Sequence, residues 1–94
     1  MTDVTQNRER SQFEIREGEL LARLMYRERE GAIDLVHTEV PPAIEGQGIA
    51  SELARAALEY AASRELRVVP TCKFVRAYID SHPVYAKLTA QKGA

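Results

Sequence analysis

The chain has 94 residues, with 13 Lys and Arg against 14 Asp and Glu, which gives a formal net charge of −1 at pH 7. This length allows one small domain with a single core, and a hydrophobic fraction of 45% is typical of a folded chain rather than a disordered one. The basic residues are scattered instead of forming a run, so the charge gives no reason to expect nucleic-acid binding.

The first half of the chain predicts an antiparallel meander. Residues 1–10 are mostly polar and are predicted to form a flexible tail, followed by a domain over residues 11–94. Residues 12–16 alternate polar and apolar side chains, as a half-buried strand does. Residues 20–27 also fit a helical period, but their short length between turn signals favours a second strand. Residues 32–40 form a third strand, and short glycine-containing turns join all three.

The second half predicts helices around one further strand. Residues 49–64 contain no Gly or Pro and are rich in helix-forming residues. Residues 66–69 read as a short buried strand, and a second helix follows until His82 and Pro83. The apolar face predicted for the first helix comprises Ile49, Leu53, Ala56, Ala57, Tyr60 and Ala61. The predicted order is β-β-β-α-β-α in an α+β fold, in which the third and fourth strands are parallel.

A glycine loop, Glu45-Gly46-Gln47-Gly48-Ile49-Ala50, lies where the third strand gives way to the helix. Glycine permits positive φ, and the first N–H groups of a helix have no intrahelical partners. Together these features favour an anion site, and a diphosphate is the natural occupant. A tight turn without a ligand is the alternative, because two glycines alone are a weak signal. A Walker loop is excluded because no Gly-Lys-Ser/Thr is present, and the third glycine of a Rossmann fingerprint is replaced by Ser51.

The segment from Val40 to Ala50, with Leu53, Ala56 and Ala57, resembles motif A of the GNAT acetyltransferases. That motif reads Arg/Gln-x-x-Gly-x-Gly/Ala; Gly48 and Ala50 match it, and Glu45 stands where Arg or Gln is usual. Two further blocks resemble a small single-domain GNAT-like subgroup, over residues 12–83 in all. The blocks are His37-Thr38-Glu39-Val40-Pro41 and Thr71-Cys72-x-Phe74-Val75-x-x-Tyr78.

The resemblance implies a minimal GNAT-like acyl-CoA N-acyltransferase fold that binds acetyl-CoA as cosubstrate and transfers its acetyl group to an amine. Cys72, His37 and Glu39 are the candidate catalytic residues. His37 and Glu39 share a parity with Ile33 and Leu35, which would place all four on one face of the sheet. Cys72 is either a small buried hydrophobe or a thiol made nucleophilic by His37 and a helix N-terminus. The predicted cofactor-binding residues are Val40, Glu45, Gly46, Gln47, Gly48, Ile49, Ala50, Ser51, Cys72, Phe74 and Tyr78.

Two other functions stay open at this point. Only Glu17-Gly18-Glu19 joins the first two predicted strands, where GNAT domains usually carry helices that cover the acceptor site. A CoA-binding module with little or no transferase activity is therefore an alternative, as is a pure protein-interaction domain that binds no coenzyme. The sequence does not identify the acceptor.

Cysteine content and hydropathy bear on compartment and assembly. A single cysteine excludes an internal disulfide and a cysteine-based zinc site, and no metal site is predicted. It fits a reducing compartment, and neither a signal peptide nor an apolar run near the ~20 residues of a membrane span is present. We therefore expect a cytoplasmic protein with no membrane contact. A small domain buries only about two-thirds of its unfolded surface, so a weak homodimer is one way to add stability.

Overall fold

The fold is described here from a computed structural model of residues 3–90. A five-stranded sheet has the strand order β1-β2-β3-β4-β5, with antiparallel neighbours except for the parallel pair β4 and β5. The predicted α+β class, the meander and its parallel last strand are confirmed. The elements are β1 (Thr5–Asn7), β2 (Gln12–Glu17), β3 (Leu20–Arg29), β4 (Ala32–Glu39), α1 (Ile49–Ser63), β5 (Arg67–Val69), α2 (Lys73–Ser81) and α3 (Ala86–Ala90), with one-turn 3-10 helices at Pro42–Ile44 and Pro83–Tyr85.

The predicted flexible tail over residues 1–10 is wrong for β1. Thr5–Asn7 pairs with β2 at the edge of the sheet. Side-chain amides support this strand: Asn7 Nδ2 donates to Glu14 Oε2 at 3.0 Å, and Gln6 Nε2 donates to the Tyr26 hydroxyl at 2.9 Å. Because polar contacts rather than an apolar alternation hold β1, its sequence carries no strand period. Residues 1–2 and 91–94, at the ends of the predicted tail and domain, lie outside the described residues.

Two-residue hairpins connect the central strands. Gly18 and Glu19 join β2 to β3, and Glu30 and Gly31 join β3 to β4. Gly18 has φ +62 and Gly31 has φ +77, the left-handed conformation that such short turns require. The strands are thus fixed in register by their turns as well as by their buried faces.

A β-bulge interrupts the pairing of β3 and β4. Met25 is opposite His37, but the next residue, Tyr26, is opposite Leu35, so Val36 is one extra residue in β4. The bulge changes which β4 side chains face the core, because side-chain direction alternates at every residue of a strand. Before it, Leu35 is buried; after it, Thr38 is the residue opposite the buried Leu24.

A single hydrophobic core lies between the sheet and the helices. Helix α1 contacts β2 to β5, α2 contacts β4 and α1, and α3 contacts β5. Ala56 and Tyr60, predicted for the buried face of α1, are only partly buried. The helix is turned about its axis so that Ala54 and Leu58 face the core as well. The buried residues of α1 are Ile49, Leu53, Ala54, Ala57, Leu58 and Ala61.

Candidate functional site

The glycine loop surrounds a cavity of about 350 Å³ at the start of α1. Gly46 has φ +85 and Gly48 has φ +79, and Gly48 caps α1 without any side-chain hydrogen bond. A Cβ built at either glycine would meet nothing within 4 Å, so glycine is needed here for its backbone conformation and not for lack of space. The cavity is lined by Val40, Ile44, Glu45, Gly46, Gly48, Ile49, Ala50, Ser51 and Phe74.

The first turn of α1 supplies free amide groups to this cavity. The Glu52 N–H donates to the Gly48 carbonyl at 3.1 Å, which is the first α-helical bond of α1. The amides of Ile49, Ala50 and Ser51 precede that bond and therefore lie among the unsatisfied donors of the helix N-terminus. Such donors, at the positive end of the helix dipole, attract an anion. The lining residues include no Lys or Arg, so the backbone supplies all the attraction.

Among residues 3–90, Glu45 is the one charged residue that lines the cavity. Its exposed carboxylate occupies the position where motif A has Arg or Gln. A negative charge beside an anion site weakens binding, although solvent exposure screens the repulsion. The site therefore combines attractive amides with one repulsive side chain.

A second cavity, of about 370 Å³, lies at the carboxyl ends of β4 and β5. The two parallel strands pair only up to Asp34 and Val69, where β5 ends, and β4 continues beyond that point to Glu39. Phe74 lines both cavities, which makes them neighbours. The second cavity is lined by Val36, His37, Thr38, Thr71, Cys72, Lys73 and Phe74.

Cys72 is fixed at the N-cap of α2, where it lines the second cavity. Its backbone N–H donates to the Leu35 carbonyl at 2.8 Å, and Cys72 as a whole is 7% exposed. Its Sγ lies 3.4 Å from Oγ1 of Thr38, and His37, the expected partner of the thiol, contacts Glu39 instead. The predicted position at a helix N-terminus is found, but with a different side-chain partner.

His37 and Glu39 do not share a face with Ile33 and Leu35, and that expectation is wrong. The bulge at Val36 turns both side chains outward, where they are 57% and 49% exposed. Arg23 binds one Glu39 oxygen through Nη2 at 2.9 Å, and His37 Nε2 lies 3.5 Å from the other. His37 still lines the second cavity, whereas Glu39 lines neither cavity and is held in this surface ion pair.

Among the other predicted cofactor residues, Gln47 and Tyr78 lie outside the cavity of the glycine loop, and so does Cys72. Gln47 is exposed at the tip of the loop. Tyr78 stacks on His82 with ring centroids 4.0 Å apart, one turn along α2 from Phe74. Tyr78 thus packs among aromatic rings and does not itself line the glycine-loop cavity.

Sequence reasoning missed several residues that the fold brings to the cavities. Ile44 is buried, but it follows Pro41, Pro42 and Ala43 and stands out by no sequence contrast. Thr38 was quoted only as part of a motif, and its inward direction depends on the bulge. Thr71, like Thr38, stands in a motif block, whereas Val36 and Lys73 carry no distinguishing pattern.

Residues 3–90 hold neither a metal-binding cluster nor a membrane-spanning helix. In that range no group of three or more His, Cys, Asp or Glu side chains is arranged to hold a metal ion. None of the helices in the same range combines the length and the apolar composition that crossing a bilayer requires.

Comparison with known proteins identifies the family. A family model described as GCN5-related N-acetyl-transferase matches residues 12–88. Protein NATD1 of Homo sapiens is 42% identical over 52 residues, which cover 55% of this chain and 46% of the human protein. NATD1 of Danio rerio is 37% identical over 51 residues, covering 54% and 46%. This chain thus spans about half the length of the curated relatives it matches.

The fold has a solved counterpart. The NMR structure of a GCN5-like protein from Staphylococcus aureus, named as a candidate N-acetyltransferase, superposes with a TM-score of 0.71 at 26% identity. The superposition covers 92% of this chain and 85% of that protein. Since the family match also spans both cavities, this chain belongs to the GCN5-related N-acetyltransferase (GNAT) family.

Proposed function

We propose that this chain binds acetyl-CoA in the cavity of the glycine loop and transfers the acetyl group to an amine. The observation that carries the proposal is the position of the free amides of Ile49, Ala50 and Ser51 at a cavity of about 350 Å³. Backbone donors at a helix N-terminus suit the pyrophosphate of coenzyme A, because they need no basic side chain.

The separation of β4 from β5 supports a path for the pantetheine arm. Beyond Leu35, whose carbonyl accepts the Cys72 N–H, the β4 backbone has no partner strand on the β5 side within the described residues. An extended chain with amide groups can bond to such a free strand edge, as added strands do. The arm would pass Phe74 and bring the thioester to the second cavity.

The reaction follows from the groups that line this second cavity. The amine nitrogen attacks the thioester carbonyl carbon, the carbon–sulfur bond breaks, and the CoA thiolate leaves. The amine proton passes to a base, for which His37 is the candidate, and from it to the departing thiolate. A main-chain N–H of the free β4 segment would polarise the carbonyl oxygen.

A two-step route through Cys72 also accounts for every bond that forms and breaks. The thiol would attack the thioester to give acetyl-cysteine and CoA thiol, and the amine would then take the acetyl group. The burial of Cys72 and its contact with Thr38 favour the direct route, because a covalent nucleophile must reach the thioester carbon.

A second candidate function is a CoA-binding module with little or no transferase activity. Only Gly18 and Glu19 join β2 to β3, and His37 is 57% exposed on the outer face of the sheet. An acceptor would therefore meet an open surface, or one that a partner completes. A weak homodimer remains one prediction for such a partner.

Two measurements test the proposal. A titration of acetyl-CoA followed by backbone amide shifts should perturb residues 40–52 with saturation. Release of CoA thiol with a panel of amines should then separate a transferase from a binding module. An unchanged amide spectrum at saturating acetyl-CoA would exclude both functions and favour the protein-interaction domain.

A further inference from the structure

Three arginines gather on the outer face of the sheet, at the end remote from Cys72. Arg27 and Arg29 extend from β3, and Arg67 extends from β5. All three lie around the start of β4, since Arg67 and Arg29 are both paired with Ala32. Two residues along a strand are about 7 Å apart, and two strand spacings are about 10 Å, so the three long side chains can converge on one ligand.

The alternation of β3 separates positive from negative side chains here. Glu28 lies between the two arginines in sequence but points to the opposite face, where its carboxylate accepts the Tyr60 hydroxyl at 2.6 Å. None of the three arginines makes an ion pair within 4.0 Å among residues 3–90. The three arginines are therefore exposed, and no carboxylate of these residues contacts them directly.

A hollow of about 250 Å³ lies among these arginines. It is formed over the small side chain of Ala32, and Asp34 and Val69 complete its lining. Asp34 is the one acidic residue of the hollow, and its Oδ1 accepts the Thr71 hydroxyl at 2.6 Å. Three guanidinium groups against one carboxylate leave an excess of two positive charges.

We propose that this hollow is an anion site that takes a phosphate-class group with two or more negative charges. Guanidinium groups match phosphate oxygens with paired hydrogen bonds, and three arginines offer donors from three sides. The excess charge favours a dianion over a single carboxylate. We refer to Arg27, Arg29, Arg67, Ala32, Asp34 and Val69 as the arginine hollow.

The arginine hollow is distinct from the glycine-loop cavity, the proposed site of the CoA pyrophosphate. The hollow borders the second cavity instead, since Asp34 lies two residues before Val36 and accepts the Thr71 hydroxyl at 2.6 Å. The hollow and the glycine-loop cavity have no lining residue in common. Occupation of one site therefore leaves the other accessible.

The test is a titration with inorganic pyrophosphate, read at the backbone amides of Ala32, Asp34 and Val69. It is run with and without saturating CoA, so that binding at residues 45–51 is observed separately. We expect saturable shifts at the three amides in both conditions, and weaker binding as salt is added. If CoA fails to bind, the proposed function fails while this readout is unaffected.

Substitutions in and outside the hollow should change pyrophosphate affinity in predictable directions. Arg67→Gln and Arg27→Gln should each weaken pyrophosphate binding roughly two- to fivefold, the size expected for an exposed charge pair. Asp34→Asn should tighten it by a similar factor, because Asn keeps an acceptor for Thr71 and removes one negative charge. Arg55→Gln removes the same charge from the exposed side of α1 and should have no effect.

Three outcomes would overturn the proposal. One is the absence of saturable shifts at Ala32, Asp34 and Val69. Another is equal weakening by Arg55→Gln and Arg67→Gln, which would mean that only net charge matters. The third is binding of a poly-glutamate peptide at these amides without binding of pyrophosphate, which would reassign the surface to an acidic protein segment.

Discussion

The Sγ atom of Cys72 lies 3.4 Å from Oγ1 of Thr38, with the cysteine buried at the N-cap of α2. The contact exists because the β-bulge at Val36 directs Thr38 inward. It links the end of β4 to the start of α2, the two elements that border the second cavity. The thiol is thus held by a neighbour other than His37.

Replacement of this thiol tests the route of acetyl transfer. We expect Cys72→Ala to cost about 1 kcal/mol in the free energy of unfolding and to lower the transfer rate less than about tenfold. Intact-mass measurement of the wild-type protein after exposure to acetyl-CoA should show no acetyl adduct. A much larger rate loss in the variant, together with a wild-type adduct lost in Cys72→Ala, would establish the two-step route instead.

His37 is the candidate base, and its substitution should affect turnover but not binding. His37→Gln should lower the transfer rate by roughly 100-fold or more, the usual contribution of a general base. Acetyl-CoA affinity should stay close to that of wild type, because His37 does not line the glycine-loop cavity. The matched control is His82→Gln, which alters the other histidine, stacked on Tyr78. Equal activity of the two variants would remove His37 from the mechanism.

The glycine loop can be tested with a pair of alanine substitutions. Gly48→Ala and Gly18→Ala both introduce a Cβ at positive φ, where nothing lies within 4 Å of it. Each should destabilise the fold by roughly 1 kcal/mol through backbone strain. Only Gly48→Ala should weaken acetyl-CoA binding, by about tenfold or more, because it shifts the amides of the first turn of α1. Isothermal titration and urea unfolding measure the two effects, and equal affinities would disconnect the loop from the coenzyme.

We expect the carboxylate of Glu45 to weaken acetyl-CoA binding. Glu45→Gln removes the only charge that lines the cavity, and we expect acetyl-CoA affinity to rise roughly two- to fivefold at low salt. The gain should shrink as ionic strength increases, because salt screens an exposed charge. Glu19→Gln, in the turn between β2 and β3, serves as the control and should leave the affinity unchanged. Weaker binding by Glu45→Gln would show that the carboxylate contacts the ligand favourably.

A hydrogen bond between helices gives a pH dependence of stability. The Tyr85 hydroxyl donates to Glu59 Oε2 at 2.7 Å, which raises the pKa of Tyr85 to about 12. Between its ordinary pKa near 10 and this value, the folded state keeps a proton that the unfolded state loses. The stabilisation is therefore complete below about pH 10 and is lost as the pH rises toward 12.

The comparison with Tyr85→Phe isolates this effect. Between about pH 8 and pH 11, the free energy of unfolding in urea should fall more for wild type than for Tyr85→Phe. Other groups that titrate in the interval affect both proteins alike. An equal fall in the two would mean that the hydroxyl proton is not held by Glu59.

Local signals were enough to predict most of the fold. Gly48 and Ala50 mark the junction between a proline-terminated strand and an alanine-rich helix. A few residues are enough to predict such a junction. The inward direction of Thr38 could not be predicted, because one inserted residue, Val36, inverts the faces of β4. Nothing in the composition of β4 indicates this insertion. Strand β1 was missed since its pairing depends on amide side chains of Gln6 and Asn7. The arginine hollow requires the alignment of three strands, which periodicity within one strand cannot supply.

The topology also sets an order for assembly. Strands β2, β3 and β4 meet through two-residue turns, so their contacts are close in sequence and form early. The pairing of Ala32 with Arg67 encloses a loop of more than thirty residues and must form late. Phe74 of α2 lines both cavities, and α2 follows β5 directly in the chain. The folding transition that closes this loop is therefore also the one that completes the two cavities.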